Sequence, residues 1–126
     1  MRLTITALTL LASLPAVAAP LSYNRDVRPI LAENCFSCHG PDKNAREAKL
    51  RLDIRADALA SKAFVPGDPE ESEIIHRIYT EDTEEIMPPP ESHRVLTSAQ
   101  KKILSEWVEQ GAEYEPHGAY IVPKRP

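Results

Sequence analysis

Cys35-Phe36-Ser37-Cys38-His39 holds the only two cysteines in a chain of 126 residues. Two thiols separated by two residues and followed at once by an imidazole form the C-x-x-C-H pattern, the attachment sequence of c-type haem. The spacing has a chemical basis. Each thiol adds to one vinyl group of the porphyrin, and the two intervening residues set the sulfurs about as far apart as the vinyls. His39 then falls beneath the ring with a nitrogen toward the iron. The motif predicts one haem c, covalent via Cys35 and Cys38, with His39 on the metal.

Three other uses of a paired Cys compete with that reading. A redox disulfide usually opens a helix beside a βαβ pattern, and no such strand pattern is visible. A zinc site needs about four N or S ligands, whereas only His76, His93 and His117 remain, none in ligand-like pairs. A plain disulfide across two residues is strained.

Upstream of the motif, Arg2 precedes an apolar stretch from Leu3 to Val17, broken by Pro15 and followed by small residues. This reads as a secretory signal peptide over residues 1–18, with Ala16 and Ala18 as the small residues before the cut. The apolar run is shorter than the roughly 20 residues of a spanning helix, so a periplasmic or secreted protein with no stable membrane span is expected. Residues 19–115 then form a single small domain and residues 116–126 a tail or linker. A core this thin commonly needs a metal or cofactor to hold it. The leader carries one base and no acid, so the remainder is one unit more negative than the whole chain's −4. That balance excludes a nucleic-acid surface and points to basic or neutral partners.

Twelve prolines leave room for only a few helices. The first window is Asp26 to Asn34, with Asp26 as N-cap, Pro29 in the first turn and Val27, Ile30 and Leu31 on one face. It delivers the chain into Cys35. The second opens at Asp68-Pro69-Glu70-Glu71, with Asp68 as N-cap, Pro69 at the first helical position and Glu71 completing a capping box. Ile74, Ile75, Ile78 and Tyr79 repeat along it at helical spacing, with Glu73, His76 and Arg77 toward solvent or the rim. The third has Thr97 as N-cap, Gln100 three residues on, Ile103, Leu104, Trp107 and Val108 on one face, and Gly111 as the stop. Leu50, Leu52 and Ile54 alternate with Arg51 and Asp53, which suits either an extended piece or a helix entry. The fold class is all-α, with three to five short helices and long Pro-rich loops.

Met87 is the only methionine after the leader, and it stands before Pro88-Pro89-Pro90. Prolines stiffen such a segment into a strap able to hold a thioether against iron, although a lone Met is more usually a core filler. Met87 is the expected sixth ligand, with His76 and His93 as rivals. Arg51 or Arg55 would neutralise a haem propionate, unless both belong to a solvated face.

At these residues the chain resembles class I c-type cytochromes. It is most similar to the planctomycete-type cytochrome c domain, through Val27-Arg28-Pro29-Ile30-Leu31, Cys35 through Pro41, Leu50-Arg51-Leu52-Asp53, Pro66-Gly67-Asp68-Pro69, Met87-Pro88-Pro89 and Trp107 through Ala112. The resemblance implies a cytochrome c-like fold around one haem, ligation by His39 and Met87, and Trp107 as a packing residue between the terminal helices. It also implies an electron carrier serving redox partner proteins, with no catalysis of its own. Members of that family commonly continue into large domains, and His117 to Pro126 looks like a linker into one, so both a free-standing carrier and a module of a larger protein are open. A haem enzyme or gas sensor with a vacant sixth position is the alternative.

Overall fold

A computed structural model describes residues 19–117; the expected signal peptide, residues 1–18, and all but the first two residues of the expected tail lie outside the described residues. A π-helical turn, Tyr23–Val27, runs directly into α1, Arg28–Asn34. Then come α2, Arg55–Ala60, α3, Glu73–Tyr79, a 3-10 turn at Pro90–Ser92, and α4, Ser98–Glu109. Among the described residues there is no strand, so the all-α expectation holds.

The first helical run begins earlier than Asp26. Ser22 is its N-cap, accepting from Arg25 N–H at 3.4 Å, while the Asp26 carboxylate reaches back to accept from Ser22 N–H at 2.8 Å. Asp26 therefore completes the cap from inside the helix. Pro29 offers no N–H, and it stands just past the change from π to α pairing, where the ladder is already broken. The α3 start also differs from expectation. Asp68 accepts from Glu71 N–H at 3.1 Å, but this closes a turn, and the helix starts after Ser72. The Ser72 hydroxyl is buried: it accepts from Val65 N–H at 2.8 Å and donates to Asp68 O at 2.7 Å. These bonds tie the turn to the preceding loop and delay the helix. In α4 both halves of the Thr97–Gln100 capping box form, and Gly111 follows the helix at φ 113. Between the first two helices the chain is extended at Ile54 and enters α2 directly, which settles the ambiguous alternation.

The core lies where the first helical run meets α4. Val27, Leu31, Leu104 and Val108 are buried there, each worth about 1.5–3 kcal/mol relative to exposure. Trp107 packs on Tyr23 (5.8 Å between ring centroids) and edge-on to Phe64 (4.8 Å), while Tyr114 stacks on Tyr23 at 4.3 Å. Burial pushes the Tyr23 phenol up to about 12 and that of Tyr114 higher still. The polar tips are met: Trp107 Nε1–H donates to Glu113 O at 3.0 Å and Tyr114 O–H donates to Leu52 O at 2.6 Å. Trp107 is thus a packing residue between the first helical run and α4. Trp107→Phe, which leaves Glu113 O without that donor, is expected to cost about 1–2 kcal/mol, read from the urea unfolding midpoint.

Arg55 ties α2 to the same region. Its guanidinium donates to Ala112 O at 2.9 Å and Gly111 O at 3.2 Å, beyond the end of α4, and pairs with Glu113 at 3.0 Å. Tyr79, expected in the core, is instead 51% exposed, with Lys101 Nζ over its ring at 5.6 Å.

Candidate functional site

The cysteine motif forms the turn that ends α1. Cys35 N–H donates to Leu31 O at 2.8 Å, and His39 N–H donates to Cys35 O at 2.8 Å, so the helix tightens into a loop across the motif. Two distant bonds pin the far side: Leu52 N–H donates to His39 O, and Glu47 N–H to Cys38 O, both at 2.8 Å. Gly40 closes the turn against Phe36, where a Cβ would lie 2.1 Å from the Phe36 carbonyl oxygen. The fold therefore fixes both thiols and the imidazole through backbone bonds.

Cys35, Cys38, His39 and Met87 line one cavity of about 280 Å³. Its walls are largely apolar, built from Leu50 and Leu52 before α2, Ile74 and Ile78 on α3, and Pro88 and Pro89 of the strap. The peptide bond between Met87 and Pro88 is cis. Met87 N–H donates to Arg77 O at 3.0 Å, and Arg77 Nη1 donates to Glu85 O at 3.3 Å. Arg77 Nε is in turn held by Glu73 at 2.8 Å. Arg77 therefore clamps both backbone and loop just before the thioether.

Both cysteines are free thiols. Burial pushes the Cys35 thiol up to about 12. Burial also lowers the pKa of His39, favouring the neutral ring, the form that binds metal. His39 Nδ1 is buried without a hydrogen-bond partner. Such an orphaned ring nitrogen marks an arrangement that protein atoms alone leave incomplete. Two free thiols, a neutral imidazole and a thioether around apolar walls fit a haem. Among the described residues no three His, Cys, Asp or Glu side chains gather as a metal cluster, so the zinc alternative gains no support.

The rivals for the sixth position stand elsewhere. His76 faces solvent, pairing with Glu85 at 3.7 Å, and is absent from the cavity lining. His93, in a left-handed conformation at φ 55, lines a separate groove behind the strap. The sequence leaves Arg51 and Arg55 between a propionate and a solvated face. Arg51 is paired with Asp53 and Arg55 with the end of α4, and neither lines the cavity. The guanidiniums that do are Arg77 and Arg94. Arg94 Nη1 donates to Ser37 Oγ at 2.8 Å, within the cysteine motif. Fifty-seven residues separate the two, so no local pattern announces the contact.

Among the described residues, four short α-helices and no strand, with a cysteine pair, imidazole and thioether around one apolar cavity, define a small cytochrome c-like domain. The family model of planctomycete cytochrome C matches residues 35–91, from the first thiol to the 3-10 turn, and over that stretch the chain is similar to this family. Such domains in general bind haem and carry electrons. No curated protein and no solved structure matches the chain.

Proposed function

We propose that the protein is an exported one-electron carrier holding a single haem c, attached through Cys35 and Cys38 and ligated by His39 and Met87. The supporting observation is that the four side chains named from the sequence share one apolar cavity, while His76 and His93 lie outside it. When bound, haem supplies the one-electron iron couple. The chain's part would be to attach it through Cys35 and Cys38, offer it the neutral imidazole of His39 and the strap-held thioether of Met87, and exclude water with Leu50, Leu52, Ile74 and Ile78. Two protein ligands leave no vacant position for substrate, which fits a carrier rather than an enzyme.

Export suits covalent attachment, because a tethered cofactor cannot diffuse away. Among the described residues no helix is long and apolar enough to cross a membrane. The deciding experiment is expression with the leader in a host that matures c-type haem, followed by a denaturing gel stained for haem peroxidase activity. Colour that survives denaturation is expected. A pale protein, with its thiols free or joined to each other, would overturn the proposal.

A further inference from the structure

Whole-chain charge points to basic or neutral partners, yet one face of the molecule has the opposite character. A groove of about 470 Å³ lies behind the strap and shares Ile78, Met87, Pro88 and Arg94 with the cavity. The wall between groove and cavity is thus a single layer of side chains. The groove's charged lining is Arg94 and Lys101, and no Asp or Glu lines it. Neither cation has a carboxylate partner among the described ion pairs. Lys101 is instead held over the Tyr79 ring, and Val95, beside Arg94, is 85% exposed.

Haem chemistry leaves Arg94 free. Vinyl and propionate groups occupy opposite sides of a porphyrin, and Arg94 is bonded to Ser37 between the two thiols, hence at the vinyl edge. An exposed apolar contact beside two unpaired cations, one layer from the cavity, is a surface complementary to carboxylates.

Resting on the electron-carrier reading, we propose that this groove is the docking face for a redox partner protein that presents carboxylates around an apolar contact, and that electrons cross here. The test oxidises reduced holoprotein with hexacyanoferrate(III), an anion that takes one electron and becomes hexacyanoferrate(II), and in parallel with the tris(phenanthroline)cobalt(III) cation, across ionic strength. The anion's rate is expected to fall as salt rises, against the sign of the chain's net charge. Lys101→Glu should lower that rate several-fold at low salt. Lys102→Glu should leave it nearly unchanged, since Lys102 is paired with Glu106 at 3.6 Å and lies off the groove. An anion rate that rises with salt, or an equal effect at Lys102, overturns the inference while leaving a redox-active protein. A dimer in sedimentation that Val95→Asp dissolves would overturn it in favour of a second copy on this face. A pale protein would sink the carrier reading and the docking face together.

Discussion

Gly40→Ala is expected to break the haem-attachment turn, giving little haem-stained protein and a folded state weaker by about 3 kcal/mol. An added Cβ would meet Phe36 O at 2.1 Å and Phe36 C at 3.0 Å, and both are backbone atoms. No rotamer change relieves such a contact. The peptide between the two thiols must move, at the upper end of the roughly 1–3 kcal/mol that overpacking costs. Movement there carries Cys38 and His39 with it, because the His39 N–H and Leu52 N–H bonds fix the turn on both sides. Gly111→Ala is the control. Its Cβ meets nothing within 4 Å, and only its left-handed backbone resists, for about 1 kcal/mol. Urea unfolding midpoints and haem staining, compared across both variants and the parent, separate the two costs. A Gly40→Ala protein that matures and unfolds like the parent would show that the turn is looser than its geometry.

The contrast between these glycines mirrors what was legible in the sequence. Gly111 is a helix stop that local pattern reveals, and all of α4 was readable, because Thr97, Gln100 and the 103, 104, 107, 108 repeat act within a few residues of one another. The starts of the first helical run and of α3 were misread for one shared reason. Asp26 and Asp68 both use their carboxylates as capping residues do, but Asp26 reaches backward to Ser22 N–H and Asp68 closes a turn ahead of the helix. Which partner wins depends on burial of neighbours such as Ser72, which composition does not report. The tight approach at Gly40 was likewise invisible, since Phe36 O reaches it only once the motif has curled.

The site divides the same way. Cys35, Cys38 and His39 are contiguous, so their chemistry is written in one short string. Met87 was nominated as the sole methionine of residues 19–126, from the proline strap that follows it and from the resemblance, and the fold brings it to the motif's cavity. Arg51 and Arg55 stood between a propionate and a solvated face in the sequence, and the fold pairs them with Asp53 and Glu113. Arg94 comes from beyond the strap, and only tertiary structure places it on Ser37.

Met87→Ala is expected to remove the weak red-end absorption band of the ferric protein, which reports sulfur on iron, while haem staining survives. The two effects separate because the thiols attach the cofactor and the thioether only ligates it. Met87 is partly exposed and contributes no core packing, so its truncation should leave the helices intact. Losing a thioether removes the ligand that favours reduced iron, so the potential should fall on the order of 0.1 V, a fraction of the ~0.8 V that axial ligands span. Carbon monoxide should then bind the reduced variant quickly, whereas the parent resists it. His76→Ala and His93→Ala should leave band and potential in place, since neither ring lines the cavity. The strap gives a further discriminating variant. Arg77→Ala keeps the sulfur but removes the guanidinium bonds to Glu73 and Glu85 O that steady the loop, so the band should weaken without vanishing. Survival of the band in Met87→Ala would strike the thioether from the site, and rapid carbon monoxide binding by the parent would favour an open-position haem enzyme or sensor over a carrier.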